Sequence, residues 1–516
     1  MIDVLPEHLK IIIDILKRFV PSFEVRAFGS RCKGKAKKYS DLDLVIVGNE
    51  KIDSNTILEI KEAFEESNLP YRVDVLDWNA ISNNFRKIIN EKYEVIQKAQ
   101  DNFSDENDLP DGWDLKSINE IAEVIGGGTP STKNSDYFGN EIPWITPKDL
   151  SNYENVYISR GERCITKKGL ENCSAKILPK GAVLLTTRAP IGYVAIASNE
   201  VTTNQGFRSL IPKKNYSSEF IYYLLKSSKE VLIANSSGTT FGELSGSALK
   251  KIEFSFPKLD EQKSIASILS SLDDKIELNR KMNETLEKTA QAIFKQWFID
   301  FEFPDENGKP YKSSGGKMVE TEFGEIPKGW RMSSLKEEFN ITMGQSPPGE
   351  SYNENSDGIL FYQGRTDFDF RFPKPRIFCV KPQRFAEKFN TLVSVRAPVG
   401  DINMALDKCC IGRGLSAVIH KNNYFSYTFY KITSLKPIFQ GFESEGTVFG
   451  SINKTNFENI EAIIPEESII KMFEKLVNPI DLKIYEITKE INILTELRDL
   501  LLPKLMSGKI RVTIDN

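Results

Sequence analysis

The sequence predicts an α+β multidomain chain: a small α/β domain, then two related mixed α/β units, each followed by a long helix, with the two helices pairing as an antiparallel coiled coil. Three observations carry this reading. A long block of sequence occurs twice, an apolar heptad seam follows each copy, and residues 1–98 lie outside the repeat. At 516 residues the chain far exceeds one hydrophobic core, and three or four domains are expected.

The duplication is read from registered pairs. Arg188-Ala189-Pro190-Ile191-Gly192 returns as Arg396-Ala397-Pro398-Val399-Gly400, an offset of 396 − 188 = 208. Gly238-Thr239-Thr240-Phe241-Gly242 returns as Gly446-Thr447-Val448-Phe449-Gly450, and Pro257 as Pro465, at the same offset. The units open on Leu109-Pro110-Asp111-Gly112-Trp113 and Ile326-Pro327-Lys328-Gly329-Trp330, here 326 − 109 = 217 apart, so the copies differ in loop length by nine residues. A period this long is a domain duplication and not a solenoid repeat.

The boundaries follow. Residues 1–98 form the first domain, and 99–108 a linker in which Asp101, Asp105, Glu106 and Asp108 cluster with little apolar content. The first unit spans 109–257 and its helix 258–302. A second linker, 303–325, is punctuated by Gly308, Pro310, Ser313-Ser314-Gly315-Gly316 and Gly324. The second unit spans 326–465 and its helix 466–512.

From Ile265 a 4-3 spacing runs through Leu269, Leu272, Ile276, Asn279, Asn283, Leu286, Ala290, Ile293 and Trp297. Adding 208 gives Phe473, Val477, Ile480, Ile484, Ile487, Ile491, Leu494, Arg498, Leu501 and Leu505. Both are heptad seams of helices packed lengthwise. The polar seam positions are expected either to set register or to dock a partner, and Ile276, Asn279, Asn283, Leu286, Ile484, Ile487, Ile491 and Leu494 are the candidate partner interface. Pro479 is expected to kink the second helix or mark its start. About 33 helical residues rise roughly 50 Å, enough to hold two heads over successive major grooves roughly 34 Å apart.

Composition excludes several classes. Charged residues make up 27% and hydrophobic residues 40%, with neither a signal-peptide pattern nor an apolar run long enough to span a bilayer, so a cytoplasmic protein without membrane association is expected. Six cysteines without a CxxC pair and only two histidines predict neither zinc sites nor a disulfide scaffold. The net charge of −4 argues against a uniformly basic surface, yet positive charge is concentrated locally. Six Lys/Arg lie between Arg160 and Lys180 against Glu162 and Glu171, and six between Arg371 and Lys388 against Glu387. Phe372, Phe378 and Phe385 interleave the second cluster. Such clusters in both units favour a polyanion over a merely solvated face.

Arg188 and Arg396, kept in both copies, are read as structural or phosphate-positioning. Residues able to read bases are sought where the copies diverge: Lys133, Asn134, Arg160, Arg163 and Asn204 in the first unit, and Arg365, Asp367, Arg371, Arg376 and Arg413 in the second. There is no G-x-x-x-x-G-K-[ST] loop and no Asn/Asp-Pro-Pro-aromatic motif. Gly126-Gly127-Gly128 is followed by Pro130 and reads as a turn or close backbone approach, not a dinucleotide fingerprint.

These residues together resemble the specificity subunits of type I restriction-modification systems, from Leu109 to Val512. The marks, in order, are Gly127-Gly128-Thr129-Pro130-Ser131, Ile142-Pro143-Trp144, Arg188-Ala189-Pro190-Ile191-Gly192, Asp260-Glu261-Gln262, Pro310-Tyr311-Lys312 with Gly315-Gly316, Gly344-Gln345-Ser346-Pro347-Pro348-Gly349, and Leu502-Pro503-Lys504-Leu505-Met506-Ser507-Gly508. The resemblance implies two target-recognition domains reading the halves of a split double-stranded DNA sequence, and helical regions recruiting two methyltransferase subunits. It leaves open whether a restriction/translocase subunit joins, and implies no cofactor bound by this part.

The N-terminal region has its own pattern. Leu9, Ile12, Ile13, Leu16 and Phe19 recur at helical spacing up to Pro21. A strand, Val25 to Phe28, leads into Gly29-Ser30, and Asp41-Leu42-Asp43 precedes the apolar strand Leu44 to Val47. Alternation puts Asp41 and Asp43 on one face, fit to share a divalent metal, with Asp74 of Tyr71-Arg72-Val73-Asp74-Val75 as third carboxylate and Asp77 out of phase. Gly29 and Ser30 offer backbone N–H groups and a hydroxyl to a phosphate. Lys33, Lys35, Lys37 and Lys38 are read either as triphosphate contacts or as an exposed loop. This region resembles minimal nucleotidyltransferases of the polymerase-beta superfamily, including antitoxin-type members. The resemblance implies two-metal nucleotidyl transfer with Mg²⁺ and a nucleoside triphosphate, Asp41, Asp43 and Asp74 being the catalytic carboxylates. The acceptor is open: a partner toxin's tyrosine, an RNA end, or none if the domain only binds nucleotide. Two functional readings therefore stand beside each other, a specificity subunit and a nucleotidyltransferase that borrows a recognition scaffold.

Overall fold

The computed structural model describes residues 4–97 apart from 22, 33–39, 49–51, 53, 68, 82–84, 87–88 and 91, and residues 109–512 apart from 189, 238–241, 323 and 445–449. The expectations for Lys33, Lys35, Lys37, Lys38 and the 99–108 linker, and most of the repeated Gly238-Thr239-Thr240-Phe241-Gly242 motif, fall outside the described residues. The chain divides into two compact units, Met1–Lys116 with Glu253–Lys258, and Ser117–Ile252 with Leu259–Asn516. Residues 117–252 of the first head, the whole second head and both long helices thus belong to the second unit, while 109–116 and 253–258 cluster with the first.

In the first unit, helix α1 (Pro6–Phe19) buries Ile12 and Leu16 on the face that the sequence spacing marked. Its N-terminus carries Pro6, whose missing N–H costs nothing in the first turn. Helix α2 (Ser54–Glu65) packs into the same core through Ile60 and Phe64. Strands β1 (Glu24–Phe28), β2 (Leu42–Val47), β3 (Val73–Asp77) and β4 (Glu94–Gln97) form a sheet in the order β3-β2-β1-β4. β2 and β3 are parallel, and β1 is antiparallel to β2.

In the second unit the duplication is visible strand by strand. The first head arranges Ala122–Gly126, Arg208–Pro212, Val183–Thr187 and Ile191–Ala197 in that order, and the second repeats it with Phe339–Met343, Leu415–His420, Thr391–Ser394 and Ile402–Met404. A second sheet in each head pairs two strands in parallel, Ile142–Ile145 with Thr202–Thr203 and Ile359–Tyr362 with Cys409–Ile411. The nine-residue slip is now located. Ile142 maps to Ile359 at 217, and Val183 to Thr391 at 208, so the length difference lies in 146–182 against 363–390, the segments holding the basic clusters.

Both heads keep glycine where two backbones touch. A Cβ on Gly127 would collide with the carbonyls of Thr203 and Asn204, and one on Gly344 with those of Ile411 and Gly412. The close approach read from Gly126-Gly127-Gly128 is what the chain makes there.

After helices α3 (Ser218–Ser227) and α5 (Phe425–Ser434), one per head, come the long helices α4 (Leu259–Phe294) and α6 (Glu467–Met506). α4 has 36 residues, a rise of about 54 Å. Its cross-pairs with α6, Lys275 to Glu490, Asn283 to Thr488 and Asp273 to Arg498, descend in one sequence as they climb in the other, which makes the rod antiparallel. Pro479 does not mark the helix start. α6 begins at Glu467 and continues through Pro479 and Pro503, because Phe473, Val477 and Ile484 are wholly buried on either side of the first proline and packing outweighs one lost backbone bond. The second head closes on the rod through an aromatic cluster of Phe294, Trp297, Phe298, Trp330, Tyr427 and Phe473. Among the described residues no helix is long and apolar enough to cross a membrane.

Candidate functional site

The N-terminal acidic site is built by register. Asp43 on β2 pairs directly with Asp74 on β3, so the two carboxylates share one face, while Asp41 sits just before β2 and is exposed. Asp77 faces the other way and is buried, where its carboxylate accepts bonds from the backbone N–H groups of Ile52 and Asn79. Gly29, at φ +81°, ends β1 against Asp43, and any Cβ there would collide with Asp43 Oδ2. Ser30 then starts the short turn Ser30–Cys32. Burial, then the like charges of Asp74 and Asp41, raise the Asp43 carboxyl above its ordinary value.

Among the described residues no three acidic, cysteine or histidine side chains converge closely enough to form a metal cage, and Arg72 Nε lies 3.2 Å from Asp74 Oδ1. The donor set nonetheless fits a hard divalent cation. All three groups are hard oxygen donors and two are in register, with burial and the neighbouring carboxylates holding the Asp43 carboxyl above its ordinary range.

In the recognition heads the candidate cations separate into three groups. Lys133, Arg160, Arg163, Arg396 and Arg413 are exposed and have no carboxylate partner among the described residues. Arg163 lies over the Phe138 ring at 4.1 Å, a cation–π contact on an inner strand of the sheet. Arg188, Arg365 and Arg376 are paired with Glu243, Asp401 and Asp367 at 2.6, 2.7 and 2.9 Å. Asn134 and Asn204 accept backbone bonds from Asp136 and Gly206, so both shape turns.

Arg371 is different and corrects the sequence reading. Its side chain is 1% exposed, bonded to Glu287 of α4 at 2.7 Å and Asp481 of α6 at 2.5 Å, with the guanidinium carbon 3.4 Å from the Phe429 ring centroid. Burial alone would lower its pKa, but Asp481, Tyr430 and Glu287 outweigh that and the group stays cationic. It cannot reach DNA from there. The expected partner interface needs a similar correction. Ile276, Asn279, Asn283, Ile484 and Ile487 are buried in the seam between α4 and α6, and Leu286, Ile491 and Leu494 are partly covered. A heptad seam is consumed by its own partner helix. Apolar groups left open to another chain include Leu278 and Met282 of α4 and Leu476 and Leu482 of α6, and among them the outward Ile493, Leu497 and Leu500 form a row at i, i+4, i+7 outside the seam positions. Glu243, whose counterpart at 208 is Ser451, was also missed, and comparing the copies beyond their identities is the signal that finds it.

Comparison with known proteins agrees with this architecture. The type I restriction modification DNA specificity domain model matches residues 110–288 and 327–493, and the nucleotidyltransferase domain model matches 9–98. The MjaIX specificity subunit of a type I restriction enzyme from Methanocaldococcus jannaschii is 41% identical over 422 residues, covering 78% of this chain and 95% of that protein. A probable protein adenylyltransferase, MntA, from Haemophilus influenzae is 52% identical over 99 residues, covering 19% of this chain and 87% of that protein. A crystal structure of the S subunit of a type I restriction-modification system from M. genitalium shares the fold, with a TM-score of 0.51 at 19% identity over 78% of this chain and 98% of that one. With two specificity domains on an antiparallel rod, the chain belongs to the family of type I restriction-modification specificity subunits and carries a nucleotidyltransferase domain at its N-terminus.

Proposed function

We propose that the chain reads a split double-stranded DNA target, one half per head, and docks methyltransferase subunits along the outer face of the rod. The observation that carries this is the sheet whose four shared strands keep the same order in both heads, while the copies diverge in 146–182 and 363–390, where the first head adds the strand Tyr157–Ile158. Equal frames with unequal reading segments suit two different half-sites on one duplex. Lys133, Arg160, Arg163, Arg396 and Arg413 hold the phosphates or base edges, and the row Ile493, Leu497 and Leu500 meets the partner. Coexpression with a cognate methyltransferase and genome-wide mapping of methylated bases tests it. A split motif is expected, with only its first half changing when 109–257 is exchanged, and a continuous motif overturns the reading.

A second activity rests on Asp43, Asp74 and Gly29. Asp41, Asp43 and Asp74 would hold Mg²⁺, which supplies neutralisation of the triphosphate and activation of an acceptor hydroxyl. The Gly29 backbone passes against Asp43 without a side chain between, keeping the acidic site open to phosphate. Labelled-ATP transfer should vanish in Asp43→Asn while the methylation motif stays unchanged. If that variant also erases the motif, the nucleotidyl reaction is the main role and recognition its delivery.

A further inference from the structure

Each helix of the rod carries one buried aspartate at the same place in the repeat, Asp273 on α4 and Asp481 on α6, 481 − 273 = 208 apart. Each accepts a hydrogen bond from a tyrosine hydroxyl of its own head at 2.8 Å, Tyr223 of α3 to Asp273 and Tyr430 of α5 to Asp481. Each also binds an arginine, but from different places. Arg498 reaches Asp273 from the opposite helix at 2.7 Å, whereas Arg371 reaches Asp481 from the divergent segment of the second head and bridges on to Glu287 of the other helix. A third link joins the heads over the middle of the rod, where Glu154 of the first binds Arg280 of α4 at 2.5 Å and lies 3.7 Å from Lys374 of the second.

We infer that these two tyrosine–aspartate–arginine clusters are positioning devices that set the number of unread base pairs between the half-sites. The inference rests on the split-target reading. Apolar packing between a head and the rod is non-directional and tolerates sliding, and buried ion pairs add little net stability. Their bonds to the tyrosines, by contrast, fail with a displacement of well under 1 Å. One base-pair step is about 3.4 Å. A head that follows a half-site moved by one step must therefore break its tyrosine–aspartate bond, and the intact clusters select one gap. The Tyr223 and Tyr430 hydroxyls are buried against the rod, so neither touches DNA.

The test uses the full chain assembled with its methyltransferase and three duplexes that carry the half-sites at the native gap, one base pair shorter and one longer. Methylation rates of the wild type, Tyr223→Phe, Tyr430→Phe and the double variant are compared. We expect the ratio of native-gap to shifted-gap rates to fall at least tenfold in the double variant, equivalent to 1.4 kcal/mol, with each single variant intermediate and half-site sequence preference unchanged. A ratio unchanged within twofold overturns the inference. If the double variant does not assemble, the single variants read the same ratio. On a fourth duplex that lacks one half-site, wild-type methylation as fast as on the native duplex would instead refute the split-target reading on which the inference stands.

Discussion

Replacing Arg371 by Met should weaken folding and leave the electrostatics of DNA binding alone. Among the described residues the guanidinium is the cation that pairs both Asp481 and Glu287, whose side chains are 2% and 12% exposed, and its removal leaves both without that counter-ion. Breaking a buried pair in this way costs about 3–5 kcal/mol. Burial already raises the Glu287 carboxyl, with Arg371 pulling the other way, so without Arg371 it rises further. The sign of the pH dependence follows. A carboxyl raised in the folded state is disfavoured as it ionises, so the penalty is small below the ordinary carboxylate range and grows as pH rises through it. Urea melts of wild type and variant at about pH 4 and pH 8 measure this, with a destabilisation of about 3–5 kcal/mol expected at the higher pH and much less at the lower. Adding Asp481→Asn and Glu287→Gln should recover most of it. If Arg371→Met melts within about 0.5 kcal/mol of wild type yet lowers the salt slope of DNA binding by about one, Arg371 contacts a phosphate and the buried cluster is wrong.

Three further outcomes are expected. Arg413→Ala and Arg396→Ala should each reduce the slope of log K against log salt by about 0.9, while Arg188→Ala, whose charge is spent on Glu243, should change it by much less; equal losses at all three positions would show that ion pairing in the free protein does not decide which cations meet DNA. Mg²⁺ at about a hundred times its Kd should stabilise the N-terminal unit by about 2.7 kcal/mol, seen as a rise in its thermal midpoint that is lost in Asp43→Asn, and an equal rise in that variant would remove Asp43 from the metal site. Burial pushes His420 down to about 4, so the unfolded chain binds a proton that the folded one refuses; stability should fall by about 3 kcal/mol as pH drops from about 6.5 to about 4, and His420→Asn should flatten that part of the melt profile.

The duplication, the antiparallel rod and the Asp43–Asp74 pairing were legible because each depends on periodicity or local alternation, which a sequence displays directly. Arg371 was not. Its neighbours in sequence, Asp369-Phe370 and Phe372, match those of an exposed basic loop, and what buries it lies 84 and 110 residues away on two different helices. The seam was found but misassigned, since a stripe of apolar positions names a buried face without saying whose face covers it. Asn279 and Asn283 show the same ambiguity. Read as register contacts or partner docking, both are buried within the rod, and Asn283 Nδ2 donates to Thr488 of the opposite helix at 3.2 Å, which favours the register role.

An acidic protein that handles DNA must decide where its cations are left unpaired. Here 72 acidic residues face 68 basic ones, so the balance cannot supply a binding surface. The rod resolves this by putting acids to structural use: Asp273, Asp481 and Glu287 hold arginines inside, where salt does not screen them. On the heads the two Arg-Ala-Pro turns show the same choice made in opposite ways. Arg188 and Glu243 are bridged through their backbones and paired through their side chains, whereas the equivalent bridge joins Arg396 to Ser451, which has no charge to offer. One substitution at a single repeat position therefore converts a structural arginine into one open to a phosphate. The two heads share a frame, yet they carry different unpaired charge at this repeat position.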